Sequence, residues 1–246
     1  MSDAEPTLIF ETVHGSRAYG LARAGSDTDL KGVIVGPAAW YHGFIAAPEQ
    51  LELSPDHVRF ELRKLMRLAA AANPTVLEVL FTEAEDHRTV TVAGQRLLDA
   101  RERFLSRRVA DTFTGYASGQ LRRIRGHRQR LQAEGAVPAT RNRARAELET
   151  RHGYDTKHAM HLLRLQRMAV EILEHGEVRV RRPDREELLA VLDGALSFDA
   201  LVEESAALAT AAQAHRASSP LPEQADEQAL NRLCAEIIEE VLHARS

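Results

Sequence analysis

Cysteine, lysine and long apolar runs are scarce in this sequence. A single cysteine, Cys234, in 246 residues excludes any disulfide within the chain. That usage suits a reducing compartment. No uninterrupted apolar stretch is long enough to span a bilayer. The opening MSDAEPTLIF is acidic and lacks the basic start and apolar core of a secretion signal. A cytoplasmic protein with no membrane partner is therefore expected. Lysine occurs only at Lys31, Lys64 and Lys157, so arginine carries almost all the positive charge. A net charge of −4 gives no global attraction to a polyanion. Hydrophobic and charged fractions of 44% and 28% are those of an ordinary globular chain. This length can bury a sizeable core in one or two domains.

What the chain does contain is a mixed first part and a helical remainder. Residues 7–13 (TLIFETV) form a β-rich run that ends at Gly15-Ser16, and Ser16 is placed to cap a brief helix. Residues 29–36 (DLKGVIVG) read as a second strand, and residues 51–60 as a third, interrupted at Ser54-Pro55. Residues 61–72 carry helical spacing, broken at Asn73-Pro74, where a new helix begins. From about residue 90 the pattern is nearly all helical. It includes an amphipathic helix over 156–175 stopped by Gly176, a loop over 135–140, and a short strand-like insert at 177–181. Asp184 and Glu187 form a capping-box pattern. The expected class is α+β, with a small mixed-sheet domain over residues 1–85 followed by a helical domain over 86–246.

The chemistry concentrates near the N-terminus. Gly15-Ser16 is followed, after ten residues, by Asp27-Thr28-Asp29. Residues two apart in a strand share a face, so Asp27 and Asp29 should project side by side. Adjacent carboxylates repel unless a cation lies between them, and hard oxygen donors suit Mg²⁺ or Mn²⁺. The upstream Gly-Ser lets backbone approach a phosphate. A metal pair beside a phosphate cradle points to nucleotidyl transfer.

With a strand on either side and a short helix starting at the serine, this pattern resembles the signature of the DNA polymerase β-type nucleotidyltransferase superfamily. That signature is Gly-Ser or Gly-Gly followed by a spaced Asp-x-Asp or Asp-x-Glu. Two further stretches are similar to one branch of it, the RNA-repair-pathway, polymerase-β-like predicted nucleotidyltransferases. FELRKLMRLAAAANPTVLEVLF (60–81) matches its Leu-Arg-Lys helix and Asn-Pro-x-x-x-Glu element, and HGYDTKHAMHLLRL (152–165) its Lys-x-x-x-His pattern. The resemblance runs over about residues 8–235. It implies an NTP-dependent nucleotidyltransferase of the EC 2.7.7 type and a third carboxylate from a neighbouring strand. Asp56 is the first candidate for that acid, with Glu52 and Glu61 as rivals.

On this reading Asp27, Asp29 and Asp56 hold two Mg²⁺ (or Mn²⁺) ions, and an NTP is the substrate. Gly15 and Ser16 bind its phosphates, and Arg17 could meet one. Lys157, His161 and Arg164 lie at i, i+4 and i+7 on one helix face. That face either contacts the nucleotide or is a solvated stripe. Tyr19 stacks or merely packs, Asn73 caps a helix, and Glu78 has no assigned role. Arg122, Arg123, Arg125, Arg128, Arg130, Arg141, Arg143, Arg145 and Arg151 form a basic stretch over 122–151. It could track an RNA backbone or be a solvated surface, and with few aromatics among the arginines base stacking has little support. The acceptor hydroxyl is expected on RNA. The alternatives are a protein, a small molecule, or a regulator that binds NTP without catalysis.

Overall fold

Each element begins where the sequence supplies a cap or a turn residue. The computed structural model describes residues 5–42, 44, 46–134 and 142–245. Its first elements are β1 (Thr7–His14), α1 (Gly15–Ala18), β2 (Asp29–Val35), α2 (Ala39–His42), β3 (Gln50–Ser54), β4 (His57–Glu61), α3 (Leu62–Ala70), α4 (Pro74–Leu80), β5 (His87–Val90) and α5 (Val92–Asp99). The helices α6 (Val109–Glu134), α7 (Arg143–His152), α8 (Thr156–His175), α9 (Arg185–Leu192), α10 (Phe198–Ser218) and α11 (Glu227–His243) follow. The α+β class is as expected. The loop expected at 135–140 lies outside the described residues.

The strands form one sheet in the order β3-β4-β2-β1-β5. β2 and β4 run parallel, and the other neighbours are antiparallel. Pro55 and Asp56 turn the chain between β3 and β4, so the interrupted third strand is a hairpin. Glu61 begins α3 as its N-cap, accepting from the amides of Arg63 and Lys64. Asn73 Oδ1 accepts from Val76 N at 3.2 Å, and Pro74 takes the first helical position, where its missing N–H costs nothing. Ser16 is not a cap: α1 starts at Gly15, with His14 preceding it.

Contacts divide the chain into two units. The first holds Met1–Ser106, Val178–Arg182 and Pro222–Ser246, and the second Arg107–Glu177 and Pro183–Leu221. This is not the division expected at 85/86. β5 extends the sheet as a partner of β1, and α5 packs on β1 while α11 packs on α3 and α5. The fit of α5 on β1 is close: a Cβ on Gly94 would stand 2.1 Å from the carbonyl oxygen of Ile9. Ile9, Phe10, Val33, Leu62, Leu65, Leu77 and Leu80 are buried in this unit's core. Residues 178–182 form no strand. Val180 is buried, Arg181 binds Glu83 and Asp86, and Arg182 N donates to Tyr19 O at 3.1 Å. Ion pairs take the place of ladder bonds there.

In the second unit α8 packs against α6, α9 and α10, burying Leu162, Leu163, Met168 and Ile172. The Asp184 capping box does not form, because Asp184 instead pairs with Arg167 at 2.7 Å. Asp155 caps α8 through His158 N at 2.9 Å and binds Arg145 at 2.9 Å. Burial alone would push this carboxyl up, but hydrogen bonds from His158 and the Arg145 charge outweigh it and hold it well below the usual carboxylate range. Among the described residues no helix is long and apolar enough to cross a membrane. Cys234 is buried in α11, and burial pushes its thiol up to about 11, which fits a core residue rather than a reactive one.

Asp155→Asn should cost about 3 kcal/mol at neutral pH, since it leaves Arg145 without its buried partner. Folding lowers the Asp155 pKa, so its stabilisation is complete above the unfolded value of about 3.9 and fades as pH falls through the folded value. Acid titrations of helical circular dichroism should therefore show the gap between wild type and variant closing at low pH.

Candidate functional site

The site begins where β1 ends. His14, the last residue of β1, stands opposite Asp29, the first of β2. Gly15 then turns the chain with φ +68, and a Cβ there would lie 2.1 Å from Asp29 Oδ2. Only glycine meets both conditions. The Gly15-Ser16 turn and the Asp29 carboxylate are thus in direct contact, brought together by strand pairing rather than by sequence proximity. Tyr19 N and Leu21 N close the turn onto Gly15 O and Ser16 O, at 3.0 and 2.8 Å.

Asp27 precedes β2, so it lies outside the ladder in an exposed loop. That loop is pinned by Arg17, whose guanidinium donates to Asp27 O at 3.2 Å and to Ser26 O at 2.7 Å. The Arg17 side chain, expected on a phosphate, is engaged with these two carbonyls. Asp56 enters through the parallel pair. Leu30 registers with His57, and Leu30 N donates to Asp56 O at 2.7 Å. Asp56 therefore stands beside Asp29, one step ahead of the ladder. The two rivals lie elsewhere. Glu61 registers with Ile34 at the other end of β4, is 3% exposed, and is engaged by Tyr41 and Arg63. Glu52, on β3, accepts from Gln50 at 2.6 Å.

No hydrogen bond or ion pair among the described residues engages the carboxylates of Asp27, Asp29 or Asp56. Hard, anionic, uncommitted oxygens at one sheet end fit a divalent cation in chemistry. They are not a closed cage. As placed, no three His, Cys, Asp or Glu side chains among the described residues stand close enough to hold an ion.

Behind the turn is a polar cluster that sequence spacing did not reveal. Tyr19 Oη donates to Glu78 Oε2 at 2.6 Å, and His14 Nε2 is 3.4 Å from both atoms. All three side chains are buried. The one signal for this in the sequence is a glutamate among the apolar residues of α4.

The remaining expected residues lie in the second unit. Lys157 is exposed and His161 half-buried. Arg164 is 4% exposed, with Nη1 on Met168 Sδ at 3.3 Å. The shared face thus runs from solvent into the core and is not a uniform solvated stripe. The basic stretch also divides. Arg128 donates to Gly153 O and lies over the Phe198 ring, Arg130 donates to Gly126 O, Arg143 pairs with Glu147, and Arg145 with Asp155. Arg122, Arg123, Arg125 and Arg151 are exposed without a partner among the described residues. Arg141 lies outside them.

A sequence model of the RNA repair pathway DNA polymerase beta family matches residues 2–236. A Bacillus subtilis protein, described as uncharacterized protein YcgL, is 30% identical over 93 residues, which cover 36% of this chain and 35% of that protein. The chain thus spans about a third of the length of that curated relative. No solved structure matches.

Gly15→Ala should destabilise the first unit by about 1–3 kcal/mol, through its left-handed φ and the collision with Asp29. Chemical denaturation would read the loss. Amide shifts confined to residues around 15 and 29 would locate it.

Proposed function

The chain belongs to the RNA repair pathway DNA polymerase beta family, a polymerase-β-like nucleotidyltransferase family, and from that membership we propose that it moves a nucleoside monophosphate from an NTP to an acceptor hydroxyl, with RNA as the acceptor. The observation that supports this reading is the close approach of the Asp29 carboxylate to Gly15, with Leu30, the residue after Asp29, bonded through its N–H to the Asp56 carbonyl. A phosphate-approaching turn and two uncommitted acids share one sheet end.

Asp27, Asp29 and Asp56 would hold Mg²⁺ (or Mn²⁺). Two ions bound there would lower the pKa of the attacking hydroxyl and offset charge on the leaving pyrophosphate. The chain's own groups do the rest. The N–H groups of the Gly15-Ser16 turn and the Ser16 hydroxyl bind the distal phosphates. Asp56, next to the acceptor hydroxyl, takes its proton. Arg17 holds the loop that presents Asp27. Catalysis is then alignment and charge stabilisation, with little covalent work for the protein.

RNA is favoured as acceptor by Arg122, Arg123 and Arg125. They stand exposed on α6, which carries no acid between Asp111 and Glu134. Such a face suits a phosphodiester backbone.

Incubation with labelled NTPs, Mg²⁺ and candidate acceptors tests the reaction. Label should pass to RNA, and Asp29→Asn should reduce transfer by at least about a hundredfold while the protein stays folded. Label on protein alone would overturn the RNA acceptor. Full activity in Asp29→Asn would overturn the site. The RNA surface has its own test. Reversing Arg122, Arg123 and Arg125 to glutamate should weaken RNA binding and reduce the slope of log affinity against log salt by about 2, if the strand is single.

A further inference from the structure

We propose that Glu78 is a positioning residue that fastens both ends of the Gly15-Ser16 turn and holds it in the shape a phosphate group requires. The phosphate part rests on the nucleotidyl-transfer reading, whereas the fastening itself does not.

α1 is four residues long, too short to hold itself, because one helical turn does not repay the order it imposes. His14, preceding it, makes no side-chain cap bond. Tyr19 follows it as the C-cap. These two residues bracket the turn, and one oxygen meets both of their side chains. Glu78 Oε2 lies 2.6 Å from Tyr19 Oη and 3.4 Å from His14 Nε2. The third side of the triangle, Tyr19 Oη to His14 Nε2, is also 3.4 Å. The two rings pack edge to face with centroids 5.6 Å apart.

Burial makes this arrangement costly to keep without a purpose. His14, Tyr19 and Glu78 are 7%, 4% and 2% exposed, and a buried carboxylate is tolerated only when donors satisfy it. The α4 residues on either side of Glu78 (Val76, Leu77, Val79 and Leu80) are apolar and buried, so an apolar side chain there would simply extend the core. The carboxylate instead reaches a segment 59 residues earlier in the chain. This also accounts for the Asn-Pro-x-x-x-Glu element. Asn73 and Pro74 fix where α4 begins, and Glu78 then arrives beneath the turn. Because His14 is the register partner of Asp29, the same oxygen steadies the strand end that carries the metal-seeking acid.

Tyr19→Phe, Glu78→Gln and the double variant test the fastening by amide hydrogen exchange. Each single change should speed exchange over residues 14–21 by about tenfold, the scale of one buried hydrogen bond. The double should speed exchange by less than the two single effects combined, because Tyr19→Phe removes and Glu78→Gln weakens the same Tyr19–Glu78 hydrogen bond. Exchange elsewhere in β1 and β2 should stay as in wild type. Calorimetry with Mg²⁺ and inorganic triphosphate should show affinity falling by a similar factor. Unchanged exchange over 14–21 in both single variants, or a rise spread evenly over the whole first unit, would overturn the proposal. If wild type binds no triphosphate, the nucleotide reading falls, and the fastening stands or falls on the exchange data alone.

Discussion

The antiparallel pairing of β1 with β2 is the constraint on which the candidate site depends. It sets His14 opposite Asp29, and so lays the Gly15 turn against the Asp29 carboxylate with no room for a side chain between them. The parallel partner β4 then brings Asp56 to the same corner. A shift of one residue in either register would send Asp29 or Asp56 to the opposite face. The sheet is thus what gathers acids separated by more than two dozen residues.

The charges at the two ends of β4 are treated differently. Glu61 is buried, caps α3, and is matched by Tyr41 and Arg63, which is the usual fate of an acid inside a fold. Asp56, at the opposite end, has no such partners among the described residues, and neither has Asp29. Where a fold satisfies one acid so fully and leaves neighbouring acids open, the open ones are the candidates for a ligand from solution.

Local signals carried much of this into the sequence. Gly15-Ser16 and Asp27-Thr28-Asp29 stood out by spacing, and the end of α8 was marked by Gly176, which works as its C-cap. Long-range arrangements were not legible. Arg17 is drawn to two loop carbonyls, which no spacing rule anticipates. Glu78 finds Tyr19 across the fold. β5 is four residues long, too short for alternation to declare it. The return of residues 178–182 and of α11 to the first unit is a packing outcome. Asp184 satisfied the capping pattern yet went to Arg167, because a half-buried arginine with several acids about it outcompetes a single amide.

The most direct test of the site is crystallography of the protein soaked with Mn²⁺ and a non-hydrolysable NTP, with anomalous scattering used to locate the metal. Anomalous peaks bound by carboxylate oxygens of Asp27, Asp29 and Asp56 are expected, with the triphosphate against Gly15 and Ser16. Mn²⁺ and triphosphate bound together at some other place, with those three acids left in solvent, would contradict that placement.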